Sequence, residues 1–382
     1  MTERLIQAFF YNNPDSYPPV INGARLLAKA GFKLEMYCRD DGTDWKIEYP
    51  ASLTIHRLKS SKAGSPREYL SFCRQAIRLG NSQATAFIGH DMHGLVPARL
   101  LAARHKRPLV YHCYDYSGDG YVQTLGGHVI KKLQTGFARR ANLVTVPDEG
   151  LGEILHRELG LKQTPVVMAN SPISHNREGG ALRLALQAGG HAFEKIVFRQ
   201  GRVGPGHALE VTIRSIPFWK SRNWGFVVMG LTDESYLRSL QKLALELGVQ
   251  NQFVWLPPVS YDLVADFTKD ADLGHALYEP IHVNNLNISG SCKIHEYMSV
   301  GLPLLVSDRP SLRSLVEGHA CGIVADDSSP ERIASTINQF FENSGRAMQM
   351  GSAATLAFEN KFRFEFQFRP VLDALERSVR NE

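Results

Sequence analysis

The stretch Asn287-Ile-Ser-Gly-Ser-Cys-Lys-Ile-His-Glu-Tyr-Met-Ser-Val-Gly-Leu-Pro303 runs from a polar Gly/Ser loop into a helical pattern that stops at Gly301. Free amides at a helix start point outward and carry the positive end of the helix dipole, so Ser289, Gly290 and Ser291 could cradle phosphate oxygens. Lys293 adds a full charge. Glu296 follows three residues later on nearly the same helix face, about one turn deeper, where a carboxylate can accept hydrogen bonds from two sugar hydroxyls. A ribose diphosphate would satisfy the whole set. The same residues can also be read as a serine-capped helix carrying an ordinary Lys293–Glu296 surface pair.

A second glycine-rich turn, Gln200-Gly-Arg-Val-Gly-Pro-Gly-His-Ala-Leu-Glu210, follows a strand pattern and opens a helix. Gly201, Gly204 and Gly206 permit tight turning and close ligand approach, while Arg202 offers a forked donor for phosphate. The spacing is GxxGxG, not the GxGxxG dinucleotide fingerprint.

Further candidates lie in the first half. The opening loop Tyr11-Asn-Asn-Pro-Asp-Ser-Tyr-Pro-Pro19 places Asn12 and Asn13 just after the first strand. His90, Asp91 and His93 stand at another strand end, although a histidine there is often a satisfied structural residue. The segment His128 to Arg140 sets Lys131, Lys132, Arg139 and Arg140 among Val129, Ile130, Leu133 and Phe137. Such a basic amphipathic helix could sit on an anionic membrane surface, or be a solvated face of a soluble domain. Asp326-Asp327 precedes Ser-Ser-Pro and reads as a turn and helix start rather than a metal motif.

Positioning these loops requires alternating strands and helices, and the chain supplies them almost throughout. Strand patterns fall at Leu5 to Phe10, Lys33 to Cys38, Ser52 to Leu58, Ala84 to Gly89, Leu109 to Cys113, Leu143 to Val146 and Val166 to Ala169. Around Asn170 the pattern breaks into turn chemistry, and a second series follows from Ile196 to Gln200. It continues with a helix His207 to Trp219, strands at Phe226 to Met229, Phe253 to Leu256 and Ala271 to Leu277, a helix Cys292 to Val300, and a strand Leu304 to Ser307. The class is α/β with helix-covered parallel sheets. Two doubly wound domains facing a central cleft are expected, residues 1–175 and 176–361, with a C-terminal helix at 362–382 crossing back to the first. Open α/β sheets bind ligands at the carboxyl ends of their strands, which is where each candidate loop falls.

With 382 residues, 43% hydrophobic and 21% charged, the chain has ample material for two buried cores and is neither disordered nor fibrous. A formal charge of +5 could favour an anionic ligand and makes no case for nucleic acid. Five scattered cysteines without a CxxC pair suggest neither zinc nor redox chemistry. No apolar run approaches the ~20 residues of a membrane span, and the first residues lack a secretory pattern. The expectation is a cytoplasmic protein that could contact the inner membrane face peripherally.

Glu194 to Phe341 resembles the nucleotide-binding domain of retaining glycosyltransferases of the GT-B fold, family 4. Glu296-Tyr-Met-Ser-Val-Gly-Leu-Pro303 looks like that family's E-A-M-A-x-G-x-P signature, which makes Glu296 the second, ribose-binding glutamate of its E-x7-E. The first would fall at Ile288. A subgroup with a K-x-x-E-Y-M pattern is similar, and there Lys293 supplies the positive charge. Gly201 and Arg202 match the family's diphosphate-holding G-R turn, whose second basic position is His207 here. Loop ends near Gly230 and Pro258 would touch the nucleotide base. Aligning Leu109-Val-Tyr-His-Cys-Tyr-Asp115 places Tyr114 where the family often has a histidine near the reacting sugar, with His112 two residues earlier. Glu279 could also reach the sugar, or be an exposed turn residue.

The resemblance implies a metal-independent, hexosyl-type retaining transfer with no cofactor beyond the nucleoside-diphosphate sugar, and Arg202, Lys293 and the helix amides stabilising the leaving diphosphate. The acceptor would be a saccharide, lipid-linked sugar or small metabolite, held by the first domain. Two rivals are a sugar-nucleotide epimerase on the same fold and a non-catalytic nucleotide-sugar-binding subunit.

Overall fold

The computed structural model describes residues 4–43, 47–59, 65–114, 125–174, 178–280 and 290–380. They form two compact units, Met1–Ile173 with Phe364–Glu382, and Ser174–Arg363. Each is built on one wholly parallel sheet.

The first unit has β1 (Leu5–Phe10), β2 (Lys33–Arg39), β3 (Leu53–Leu58), β4 (Ala86–His90), β5 (Leu109–His112), β6 (Leu143–Val146) and β7 (Val166–Val167), ordered β3-β2-β1-β4-β5-β6-β7. Every residue of β1 is buried, as expected of a central strand covered on both faces. Chain order reverses between β1 and β4, and a crevice must open there because the following connections leave to opposite faces. The C-terminal segment completes this unit: Phe364, Phe368, Val371 and Leu375 pack with Ile6, Ala8, Phe10 and Ile88. The Ala169 amide donates to Gln367 Oε1 at 3.0 Å.

The second unit has β8 (Lys195–Gln200), β9 (Trp224–Met229), β10 (Phe253–Leu256), β11 (Leu273–Ala276), β12 (Leu304–Ser307) and β13 (Gly322–Ala325), ordered β10-β9-β8-β11-β12-β13. Its switch point lies between β8 and β11. The helix read from His207 to Trp219 is shorter, Leu209–Ser215, and tightens into a 3-10 turn at Ile216–Phe218. Pro217 has no N–H for the helical ladder, which ends the regular helix there. No helix among the described residues is long and apolar enough to cross a membrane.

Candidate functional site

At the switch point of the second unit, β8 leads into the glycine turn and β11 into Tyr278, while the helix Cys292–Ser299 begins alongside. Gly201 has φ +102° and Gly206 +85°, conformations that side chains other than glycine rarely adopt. Gly230 closes the floor: a Cβ added there would lie 1.7 Å from the Gly201 carbonyl oxygen. Gly204 meets nothing within 4 Å of an added Cβ, so its lack of a side chain leaves open space rather than relieving a clash. The Glu279 amide donates to the Gly206 carbonyl at 3.0 Å, tying the turn to the end of β11.

Lys293 lies against this turn, its Cε 3.7 Å from the Cβ that Gly201 lacks. Its ammonium donates to the Tyr278 hydroxyl at 2.9 Å and to Ser291 Oγ at 3.2 Å. Burial alone would raise the Tyr278 phenol, yet the charge of Lys293, then that of Arg199, brings it below the usual tyrosine value. Ser291 occupies the helix N-cap position without a side-chain cap bond, and Glu296 is buried and accepts from the Gln200 amide. The alternative of a serine-capped helix with a Lys293–Glu296 surface pair is therefore not what forms. Burial pushes the Glu296 carboxyl up to about 7, against the pull of Gln200 and Lys293. Gly290 is buried beside Ser291; Ser289 and Ile288 lie outside the described residues.

Arg202 is exposed on the turn and Pro258 half-buried after β10. His207 meets the Tyr278 ring edge-on at 5.9 Å. Burial, reinforced by Arg199, Lys293 and Arg202, lowers its imidazole to about 2, so it stands neutral where the resemblance calls for a cation. Glu279 is half-buried, and burial together with Glu210 and Asp327 raises its carboxyl. Arg199, His275 and Tyr278 complete the cluster and were not singled out from sequence. The signal was a charged residue inside Ile-Val-Phe-Arg-Gln, a strand that pairs with neighbours on both sides and so can hide Arg199 only in the interior.

The candidates of the first unit gather at its own switch point. His90 Nδ1 hydrogen-bonds the Tyr114 hydroxyl at 2.9 Å, and the His112 ring, 5.2 Å from that of His90, hydrogen-bonds Thr145 Oγ1 at 2.6 Å. Burial lowers His112 to about 3 and His90 well below the ordinary value, with His112 adding to the latter. Both are uncharged hydrogen-bonding groups. Asp91, at φ +52°, accepts from the Tyr114 amide at 2.9 Å. His93 packs its ring 5.3 Å from Tyr11 and 5.0 Å from Tyr69. Asn13 is buried with its amide engaged by Asp41, Thr43 and Arg57, while Asn12 is exposed.

The basic segment forms the helix Leu125–Ala138 and the turn after it. Lys131 pairs with Glu158 at 3.5 Å, and Arg139 Nε donates to the Leu159 carbonyl at 2.6 Å, so these two cations bind their own unit. Arg140 Nη1 donates to the Gly136 carbonyl at 2.8 Å, and Lys132, Arg139, Arg140, Val129 and Leu133 are exposed.

Comparison with known proteins gives two domain matches. Residues 191–356 match the family described as glycosyl transferases group 1, and residues 22–170 the glycosyl transferase 4-like domain. No curated protein matches the sequence. Among solved structures, Anabaena HepE in complex with UDP and glucose is 15% identical, over 98% of this chain and 100% of that one, with a TM-score of 0.75. Sucrose-phosphate synthase from Thermosynechococcus elongatus is 14% identical over 100% of both chains, with a TM-score of 0.77. A UDP-forming α,α-trehalose-phosphate synthase from Burkholderia xenovorans is 11% identical over 99% of both, with a TM-score of 0.66. These likenesses fix the architecture as GT-B. The two units thus each match a glycosyl transferase domain, the first the 4-like and the second the group 1.

Proposed function

We propose that the protein is a retaining glycosyltransferase that moves a sugar, of hexosyl type, from a nucleoside diphosphate to an acceptor held by its first unit. The observation that carries this reading is the meeting of Lys293, Tyr278 and Ser291 against the bare backbone of Gly201, with Glu296 buried one turn deeper in the same helix. A diphosphate seated there meets an ammonium and helix amides, and its ribose diol can donate to the Glu296 carboxylate.

As the anomeric bond breaks, negative charge gathers on the departing diphosphate while the sugar becomes oxocarbenium-like. Arg202, Lys293 and the Gly290–Ser291 end of the helix stabilise that charge in place of a metal ion, and one such donor is worth about 3–4 kcal/mol. Retention follows from front-face attack by the acceptor within the ion pair. The neutral His90 and His112 and the Tyr114 phenol offer hydrogen bonds, not charge, to groups approaching the first unit's switch point. We assign the protein to the cytoplasm, in carbohydrate biosynthesis; none of the five cysteines forms a disulfide.

The test is a panel of nucleoside-diphosphate sugars screened by melting temperature, since ligand at 100 times its dissociation constant adds about 2.7 kcal/mol of apparent stability. The stabilising donor is then incubated alone and with saccharide, lipid-linked and small-metabolite acceptors, and the anomeric configuration of the product read by NMR. Transfer with retained configuration is expected. Epimerisation of donor alone, inverted product, or no stabilising donor overturns the reading.

A further inference from the structure

Arg199 is 0% exposed, heading the largest fully buried side chains among the described residues. It projects from β8 at the switch point, yet among the described residues no carboxylate lies within ion-pair distance of it. Only Nη1 is engaged, donating to His275 Nδ1 at 3.3 Å and to the Leu277 carbonyl at 3.4 Å. Nε and Nη2 are buried without a partner. An arginine cannot shed its proton to escape such a site, so the interior holds an uncompensated charge.

Two chains of contact lead outward from that charge. The guanidinium carbon stands 5.3 Å from the centre of the Tyr278 ring, whose hydroxyl receives the Lys293 ammonium. Along the other, His275 accepts from Arg199 at Nδ1, which leaves Nε2–H to donate to Thr212 Oγ1 at 2.9 Å. Thr212 in turn donates to the Ala208 carbonyl, at 2.6 Å. Ala208, at φ +52°, is the residue that turns the glycine loop into its helix. Arg199 therefore braces both walls of the phosphate pocket from inside the sheet. Within reach of its charge, position 207 holds a neutral histidine.

Resting on the donor-diphosphate reading, we propose that Arg199 is a positioning residue for that site, supplying from within β8 the second positive charge that position 207 lacks and holding Tyr278 and the Ala208 turn in register for a bound diphosphate. The anion completes the cluster by balancing a charge that the folded protein leaves open. Stability and binding should then respond to the same substitution with opposite signs.

Inorganic pyrophosphate is the probe, because it is independent of base and sugar. Its dissociation constant is measured by calorimetry, and the melting temperature recorded without ligand, for wild type, Arg199→Met, Arg199→Gln and Arg199→Lys. Wild type is expected to bind pyrophosphate. Arg199→Met should melt at or above the wild-type temperature while binding pyrophosphate about tenfold or more weakly. Arg199→Lys, which keeps the charge, should recover most of the affinity, and Arg199→Gln should not. If Arg199→Met fails to fold, the proposal is overturned on the stability arm, since a merely structural arginine is the residue whose loss does that. Equal pyrophosphate affinity in all four proteins overturns it, as does equal loss in the Lys and Met variants. Failure of wild type to bind pyrophosphate removes the diphosphate reading itself, a result distinct from wild-type binding that is indifferent to residue 199.

Discussion

Glu296→Gln should stabilise the protein and impair its site together, in a pH-dependent way. Glu296 is 5% exposed and burial carries its carboxyl from 4.5 up to about 7. Because the folded value lies above the unfolded one, the native state keeps this proton through mildly acidic pH. The stability it contributes is complete below pH 4.5 and is lost as pH rises through about 7. At about 1.4 kcal/mol per pH unit, the span from 4.5 to about 7 makes the ionised carboxylate a burden of roughly 3 kcal/mol at pH 8. Glutamine cannot ionise and keeps an oxygen for the Gln200 amide. The variant should therefore melt roughly 6–12 °C higher than wild type at pH 8, with the advantage shrinking to nothing near pH 4.5. It also loses the charged acceptor for a ribose diol, each such hydrogen bond being worth about 1.5–3 kcal/mol, so donor affinity should fall tenfold or more. The assay is a thermal melt of both proteins at pH 4.5, 6 and 8, with and without the stabilising nucleotide. A variant that melts below wild type at pH 8, or a difference that does not vary with pH, refutes the reasoning.

Lys293→Ala should lower turnover by about 10²–10³ while changing nucleotide affinity less, because its charge meets most of its counterpart only as the diphosphate departs; near-normal turnover in steady-state kinetics counts against that role. Gly230→Ala places a methyl group 1.7 Å from the Gly201 oxygen and should destabilise the second unit by more than about 3 kcal/mol, read by chemical denaturation; an unchanged midpoint contradicts the close approach. We further predict salt-sensitive binding to anionic liposomes that is abolished by neutralising Lys132 and Arg140, the solvent-facing cations beside Val129 and Leu133. No binding at low salt rejects the membrane contact. Lys131→Ala should instead lower stability slightly through the lost Glu158 pair, by under about 1 kcal/mol.

The architecture was legible because short β-rich runs and 3.6-period helices leave separate traces in sequence. β1, β6, β10 and β12 lie where their patterns put them, and the turns at Gly201 and Gly290 announce themselves by glycine and serine. Less legible were features that depend on contacts distant in the chain. That Lys293 would meet Tyr278 while Glu296 meets Gln200 depends on β8 lying beside β11, a pairing that no local spacing encodes. Lys131 gave the same amphipathic pattern as Lys132, yet Glu158 claims it. His207 could be read as a departure from a basic position, but its neutrality follows from burial among three cations. Arg199 was overlooked because one charged residue in an apolar run ordinarily marks a solvent-facing edge.

The first unit is assembled from two segments far apart in sequence, with Phe364, Phe368, Val371 and Leu375 wedged among the side chains of β1. During synthesis the residues up to Ile173 emerge long before those four aromatic and aliphatic plugs exist, so the earliest-made sheet must wait, incomplete, through translation of the entire second unit. Residues 174–363 are contiguous and can condense as soon as they clear the ribosome. An amino-terminal sheet that closes only over residues made after the whole second unit departs from simple vectorial folding, because β1 can be fully buried only once Phe364 to Leu375 exist.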